Sequence, residues 1–129
     1  MTDDIVRRDS PELVPPRGHY SHVALHNGVA YIAGQLPVDV NGKPLSHEPF
    51  EDQVRQVLDN LDACLHTAGS SRDRLLSVTV YITDIEFWPA FDAIYAAWVG
   101  DLRPTRAVAC VSTLHYGAAV EVQAIAATS

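Results

Sequence analysis

From Phe50 to Ala68 the apolar residues recur at three- and four-residue intervals: Val54, Val57, Leu58, Leu61, Cys64, Leu65 and Ala68. That period puts them on one stripe of an α-helix, and Gly69 with Ser70 and Ser71 predicts where it ends. A stripe this long needs a broad apolar surface to lie on. The chain around it supplies one, because the pattern elsewhere switches to β-branched runs. Residues 18–25 and 29–34 read as two strands joined at His26-Asn27-Gly28, an Asn-Gly hairpin signal. Residues 75–82 (Leu-Leu-Ser-Val-Thr-Val-Tyr-Ile) read as a third strand with a buried face. Thr83-Asp84 can cap a second helix with Pro89 in its first turn, ending near Gly100. Its apolar face would be Phe87, Phe91, Ile94, Tyr95 and Trp98, aromatics better read as core than as a binding box. Two more strand-like segments follow, residues 103–111 and 120–126. The order strand, strand, helix, strand, helix, strand, strand predicts an α+β sheet with both helices on one face.

At 129 residues the chain is one domain with one core. Residues 1–17, with their charges and Pro11, Pro15 and Pro16, are expected to be a tail or irregular lead-in to a single domain over 18–129. No apolar run approaches the roughly 20 residues of a membrane span. The acidic Met1-Thr2-Asp3-Asp4 leads into no hydrophobic segment, which predicts no secretory signal. Cys64 and Cys110 lie far apart without C-x-x-C spacing, as suits free, buried thiols in a reducing cytoplasm. A net charge of −7 argues against a general nucleic-acid binder, which needs a basic surface.

Chemistry concentrates near the C-terminal end. The two last predicted strands each carry one ionised residue in apolar company, Arg106 in the first and Glu121 in the second. An unpaired charge there would cost several kcal/mol, roughly, so each needs a partner or a ligand. One reading is an Arg–Glu ion pair across the two strands. The other is a carboxylate-binding arginine beside an acid that handles protons or water. Burial would raise the Glu121 pKa and a neighbouring Arg106 would lower it. Gly34, at a strand end, marks a bulge or a close approach to the backbone, and with Tyr20 is a candidate to join the site. Cys64 lies on the helix stripe and reads as packing. The six histidines show no helical H-x-x-x-H and no metal-ligand spacing. No P-loop, G-x-S-x-G elbow or dinucleotide glycine motif is present, and Cys110 has no obvious base.

Several segments, in order and at matching spacing, resemble the Rid (reactive intermediate deaminase, or YjgF) family. They are Gly18-His19-Tyr20-Ser21 (family G-x-Y-S) and Ile32-Ala33-Gly34-Gln35-Leu36-Pro37 (S-G-Q-x-P). Asn60-Leu61, Thr79-Val80-Tyr81-Ile82-Thr83-Asp84, Tyr95, Pro104-Thr105-Arg106 (P-x-R) and residues 120–126 (I-E-I-E-A-I-A) also match. The resemblance spans roughly residues 18–126. It implies a chorismate-mutase-like mixed sheet and a homotrimer with ligand clefts between subunits. The implied activity is that of a 2-iminobutanoate/2-iminopropanoate deaminase, hydrolysing reactive enamines and imines such as 2-aminoacrylate to 2-keto acids and ammonia. No cofactor or metal, nucleic acid or membrane partner is implied. By position, Arg106 grips the substrate carboxylate, Glu121 orients or activates water, and Tyr20 and Gly34 line the cleft.

The chain departs from the family pattern beside those residues. Ala33 replaces the common serine, Val108 stands where cysteine is frequent, Asp92 replaces an asparagine, and His115-Tyr116 replaces the proline after Leu114. Val108 and Asp92 are therefore expected among the substrate-binding positions. The alternatives to a deaminase of small imino acids are a relative acting on a larger imine, a non-catalytic carboxylate sensor, and a ribonuclease, the last opposed by the charge.

Overall fold

A computed structural model describes residues 4–128. Eight elements run in the order β1 (Val6–Arg8), β2 (Val23–His26), β3 (Val29–Gln35), α1 (Phe50–Thr67), β4 (Leu75–Ile82), α2 (Trp88–Val99), β5 (Thr105–Cys110) and β6 (Val120–Ala127). The strands form one mixed sheet in the order β1-β2-β3-β6-β4-β5. Every neighbouring pair is antiparallel except β4 and β5, which run parallel across the α2 crossover. No helix among the described residues is long and apolar enough to cross a membrane.

The alternation along the central strands decides which face is covered. Val78, Val80 and Ile82 of β4 and Val120, Val122, Ala124 and Ala126 of β6 are buried on the helix side. The α1 stripe closes over them, with Leu58, Leu61 and Leu65 almost fully buried. Truncating any of these leucines to alanine would cost about 2–5 kcal/mol. Cys64 packs in the same stripe, where burial pushes its thiol up to about 12, whereas Cys110, expected to be buried too, is exposed because β5 is an edge strand. A Schellman pair ends α1: Gly69 N–H bonds to His66 O (3.0 Å) and Ser70 N–H to Leu65 O (2.9 Å), with Gly69 at φ 73°. Asn27 (φ 50°) and Gly28 (φ 78°) make the two-residue turn between β2 and β3.

Several expectations change. The segment before residue 18 is not all irregular: Val6–Arg8 pairs with β2, register Val6↔Leu25, although residues 1–3 lie outside the described part. The following strand starts at Val23, not Gly18. The reason is a cross-tie to the N-terminal segment: Ser10 N–H donates to His22 Nδ1 (2.9 Å), and His22 N–H donates to Asp9 Oδ1 (3.2 Å). Phe87, expected on the second helix, belongs to a 3-10 turn before it and stacks on Phe50 with centroids 4.2 Å apart.

Buried polar residues of α1 hold the loops that frame the site. The Asn60 side-chain amide donates to Leu36 O (3.1 Å) and Val38 O (2.9 Å), fixing the chain after β3. Gln53 donates to Glu48 O (3.0 Å) and accepts from Ala119 N–H (2.9 Å), fixing the approach to β6. Arg72 makes a two-pronged contact with Asp62 and lies over the Trp98 ring at 4.7 Å, pinning α2 against α1.

Candidate active site

Arg106 and Glu121 do not meet. Their strands are adjacent in sequence, but β4 lies between β5 and β6 in the sheet. Arg106 sits opposite Val78 and Glu121 opposite Tyr81, three residues apart on β4 and so on opposite faces. This overturns the Arg–Glu ion pair. Arg106 points to the helix side and Glu121 to the open face.

The partner of Arg106 is Asp92 on α2, with Nη1 to Oδ1 at 2.9 Å. The guanidinium carbon also lies 4.6 Å from the Trp88 ring centroid and 5.1 Å from that of Tyr95. Trp88, Asp92 and Tyr95 fall at i, i+4 and i+7 on one face of α2, so a single helix face orients the whole guanidinium. That spacing was visible in the sequence, but the aromatics read simply as core. The β5 backbone is on the open edge of the sheet, while the Arg106 side chain is only 24% exposed. Val108, two residues on, shares its face, lies opposite Val80 and packs against the core. Beside Arg106 opens a cleft of about 460 Å³ that also reaches Val99, Leu102 and Arg103.

Glu121 belongs to a second group of residues. The β3–β6 register shifts between Ile32 and Gln35, a bulge that presents the Gly34 Cα to the acid. A Cβ built on Gly34 would fall inside contact distance of Glu121 Oε2 and 3.1 Å from Cδ. A glycine is needed here for closeness, not for an unusual φ. Burial pushes the Glu121 carboxyl above its ordinary 4.5, and His115 pulls it partly back. The lowering influence comes from His115, not from Arg106. Tyr20, half exposed, shares a cavity with Gly34, Arg17 and Tyr116. Arg17 lies over the Tyr116 ring at 5.8 Å and donates to Gly42 O, joining three loops at its rim. Tyr116 has φ 63°, the left-handed region.

The named residues thus fall into two clusters on each chain. One is cationic and aromatic, with Arg106, Asp92 and Val108; the other is acidic, with Glu121, Gly34 and Tyr20 nearby. Among the described residues no three His, Cys, Asp or Glu side chains gather as metal ligands.

A family model described as Endoribonuclease L-PSP matches residues 11–128. A RutC family protein of Pyrococcus horikoshii is 33% identical over 126 residues, 98% of either chain. Among solved structures, YyfA from Yersinia pestis, described as a member of the conserved Rid protein family, superposes with TM-score 0.91 at 33% identity. That match covers 97% of this chain and 100% of the other. E. coli TdcF, solved with bound serine, superposes with TM-score 0.90 at 25% identity, covering 96% and 99%.

Proposed function

The chain belongs to this Rid/YjgF (RutC) family, and from that premise we propose that it is a hydrolase of reactive 2-imino acids, working without metal or organic cofactor. The observation that carries the reading is Glu121, a half-buried acid with a raised pKa seated on a bare glycine. Such a group holds its proton more tightly than a free carboxyl does, which suits it to proton transfer. The protonated form gives its proton to the imine nitrogen, and the carboxylate takes one from the water that attacks the imine carbon. The carbinolamine then collapses: the carbon–nitrogen bond breaks, ammonia leaves, and the carbonyl of a 2-keto acid forms. Arg106 holds the substrate carboxylate, its fork oriented by Asp92, Trp88 and Tyr95.

Because the two clusters lie on opposite faces of one sheet, one chain cannot close both around a three- or four-carbon acid. The reading therefore includes a homotrimer, each cleft taking the Arg106 cluster from one subunit and the Glu121 cluster from its neighbour. The half-exposed Tyr31, the exposed Leu76 and the unpaired edge of β5 support burial against partner chains. The localisation that goes with this reading is cytoplasmic.

The test is complementation. Arg106→Lys and Glu121→Gln should each lose at least about 10²-fold in keto-acid release from imines generated in situ. Subunits of the two variants mixed at equal concentration should regain activity, since about a quarter of shared clefts then receive both native residues. Sedimentation equilibrium should give three chains. No recovery on mixing, with trimers confirmed, would refute the shared cleft. Absence of turnover by the native protein, with product still bound, would leave a carboxylate sensor. The family description names an endoribonuclease; the −7 charge opposes that activity here, and salt-dependent RNA affinity tests it.

A further inference from the structure

The N-terminal segment is fastened to the sheet, beside the Glu121 cluster, through one histidine. His22 stands just before β2 and is 5% exposed; its partner Ser10 is 4% exposed. Ser10 N–H donates to His22 Nδ1 at 2.9 Å. A backbone N–H only donates, so Nδ1 carries a lone pair and the imidazole is neutral, with its proton on Nε2. The backbone of His22 continues the tie on both sides. Its N–H donates to Asp9 Oδ1 (3.2 Å), and its carbonyl accepts from Ala33 N–H (2.9 Å), one residue before Gly34. Its ring meets the Tyr20 ring edge-on, centroids 6.5 Å apart. Beyond Ser10 the segment supplies Leu13, Val14, Pro15 and Arg17 to the wall of the cavity shared by His22, Tyr20 and Gly34. All of these partners belong to one chain, so the tie does not depend on how subunits pack.

We propose that His22 is a positioning residue that latches residues 9–17 beside the Glu121 cluster only while its imidazole is neutral, so that acid opens the latch. A proton on Nδ1 would face the Ser10 N–H donor to donor, and at this depth solvent does not replace the lost acceptor. Burial holds the imidazole below its ordinary 6.5, and the Asp9 carboxylate pulls it partly back. The folded chain therefore takes up this proton less readily than the unfolded one, and the latch weakens as pH falls from 6.5 through the folded value. The charged groups around the ring are Asp9 on the segment, Arg17 and Asp39 on the cavity wall, and Glu121 beyond Gly34. The Glu12–His66 contact (2.8 Å) and the bond from Arg8 to Thr67 O are exposed ties that remain, so the segment loosens without leaving. Loosening would shift the wall beside Tyr20 and free the Ala33–Gly34 bulge. Its cost to turnover rests on the reading that Glu121 acts in the reaction.

Amide hydrogen exchange read residue by residue by NMR, with the His22 ring followed in the same titration, tests the latch without substrate. After correction for the intrinsic pH dependence, Ser10 and Ala33 of the native protein should lose protection at least about tenfold between about pH 7.5 and 5.5, with the midpoint of the His22 titration. In His22→Asn the side-chain carbonyl stands where Nδ1 stood and does not titrate, so protection should stay within about twofold over that range. In His22→Ala both amides should exchange at the acid-form rate at either pH. Ser10 protection that persists through the His22 titration, or is lost equally in His22→Asn, overturns the latch. Loss at Ser10 with Ala33 unmoved overturns the positioning role. The turnover arm measures kcat on an imine generated in situ from 2-aminobutanoate, less the spontaneous rate. The fall in kcat on acidification should be at least about threefold greater in the native protein than in His22→Asn, with KM changing alike in both. An equal fall in the two proteins refutes positioning. If no imine is turned over, hydrolysis itself fails, and the exchange arm still decides the latch.

Discussion

Gly34→Ala isolates the placement of Glu121 from everything else about it. The added methyl would fall within van der Waals overlap of Glu121 Oε2, 3.1 Å from Cδ and 3.4 Å from Cγ. Gly34 has no left-handed φ, so alanine meets no backbone penalty, and Cγ is already at ordinary contact distance. Only the end of the side chain must move, by roughly 1 Å, and rotation about its outer bonds accomplishes this for about 1 kcal/mol. Stability should therefore change little: Tm falls by no more than about 4 °C for a domain of this size. Catalysis should change much more, because a 1 Å misplacement of a reacting group costs on the order of 10²-fold. The loss should be in kcat, while affinity for the keto-acid product, assigned to Arg106, stays within about twofold. The assay is keto-acid release at saturating imine, beside thermal melts and calorimetry on the same sample. A Gly34→Ala protein with native kcat would refute the role given to Glu121, since its carboxylate would then be free to wander without consequence.

Glu121 also sets a pH dependence of stability. Its folded pKa is raised above 4.5, so the folded state holds the proton more tightly, and stability falls as pH rises from 4.5 through the folded value. Glu121→Gln should accordingly melt above the native protein at pH 7, with the gap closing toward pH 4.5; a gap that widens on acidification would contradict the burial argument. Asp92→Asn should tighten binding of a small keto acid by about two- to fivefold, the range open to a partly exposed ion pair worth up to about 1 kcal/mol. Titration calorimetry at low salt reads that change directly, and weaker binding would mean that Asp92 orients Arg106 more than it competes for it.

The helix stripe over residues 50–68, the closing Gly69 and the Asn27-Gly28 turn were legible because each is a local signal: a period, a cap, a positive φ. The bulge and close approach at Gly34 were legible for a similar reason, a glycine at a strand end. The β1 strand was not, because Val6-Arg7-Arg8 is exposed throughout and carries no apolar alternation; only its pairing with β2 makes it a strand. The relation of Arg106 to Glu121 was not legible either. Strands adjacent in sequence need not be adjacent in space, and whether two charges face each other depends on which strand lies between them. The Trp88–Asp92–Tyr95 face could have been read from its helical spacing, but nothing local says that an arginine from β5 will lie across it.

The sheet order has a further consequence, for synthesis. β6, last of the eight elements in chain order, lies between β3 and β4 and pairs with both along nearly its full length. While the ribosome is making everything before it, β1-β2-β3 and β4-β5 are separate ribbons, each with an open edge and an apolar face. Such edges invite pairing with other chains. Neither ribbon gains its neighbour until residues 120–127 emerge, and the contacts that join them are long-range, the kind that form slowly. Until that strand is available the two ribbons stay unjoined, and that is the interval in which chaperones would act on them. The strand that delivers Glu121 is also the one that completes the fold.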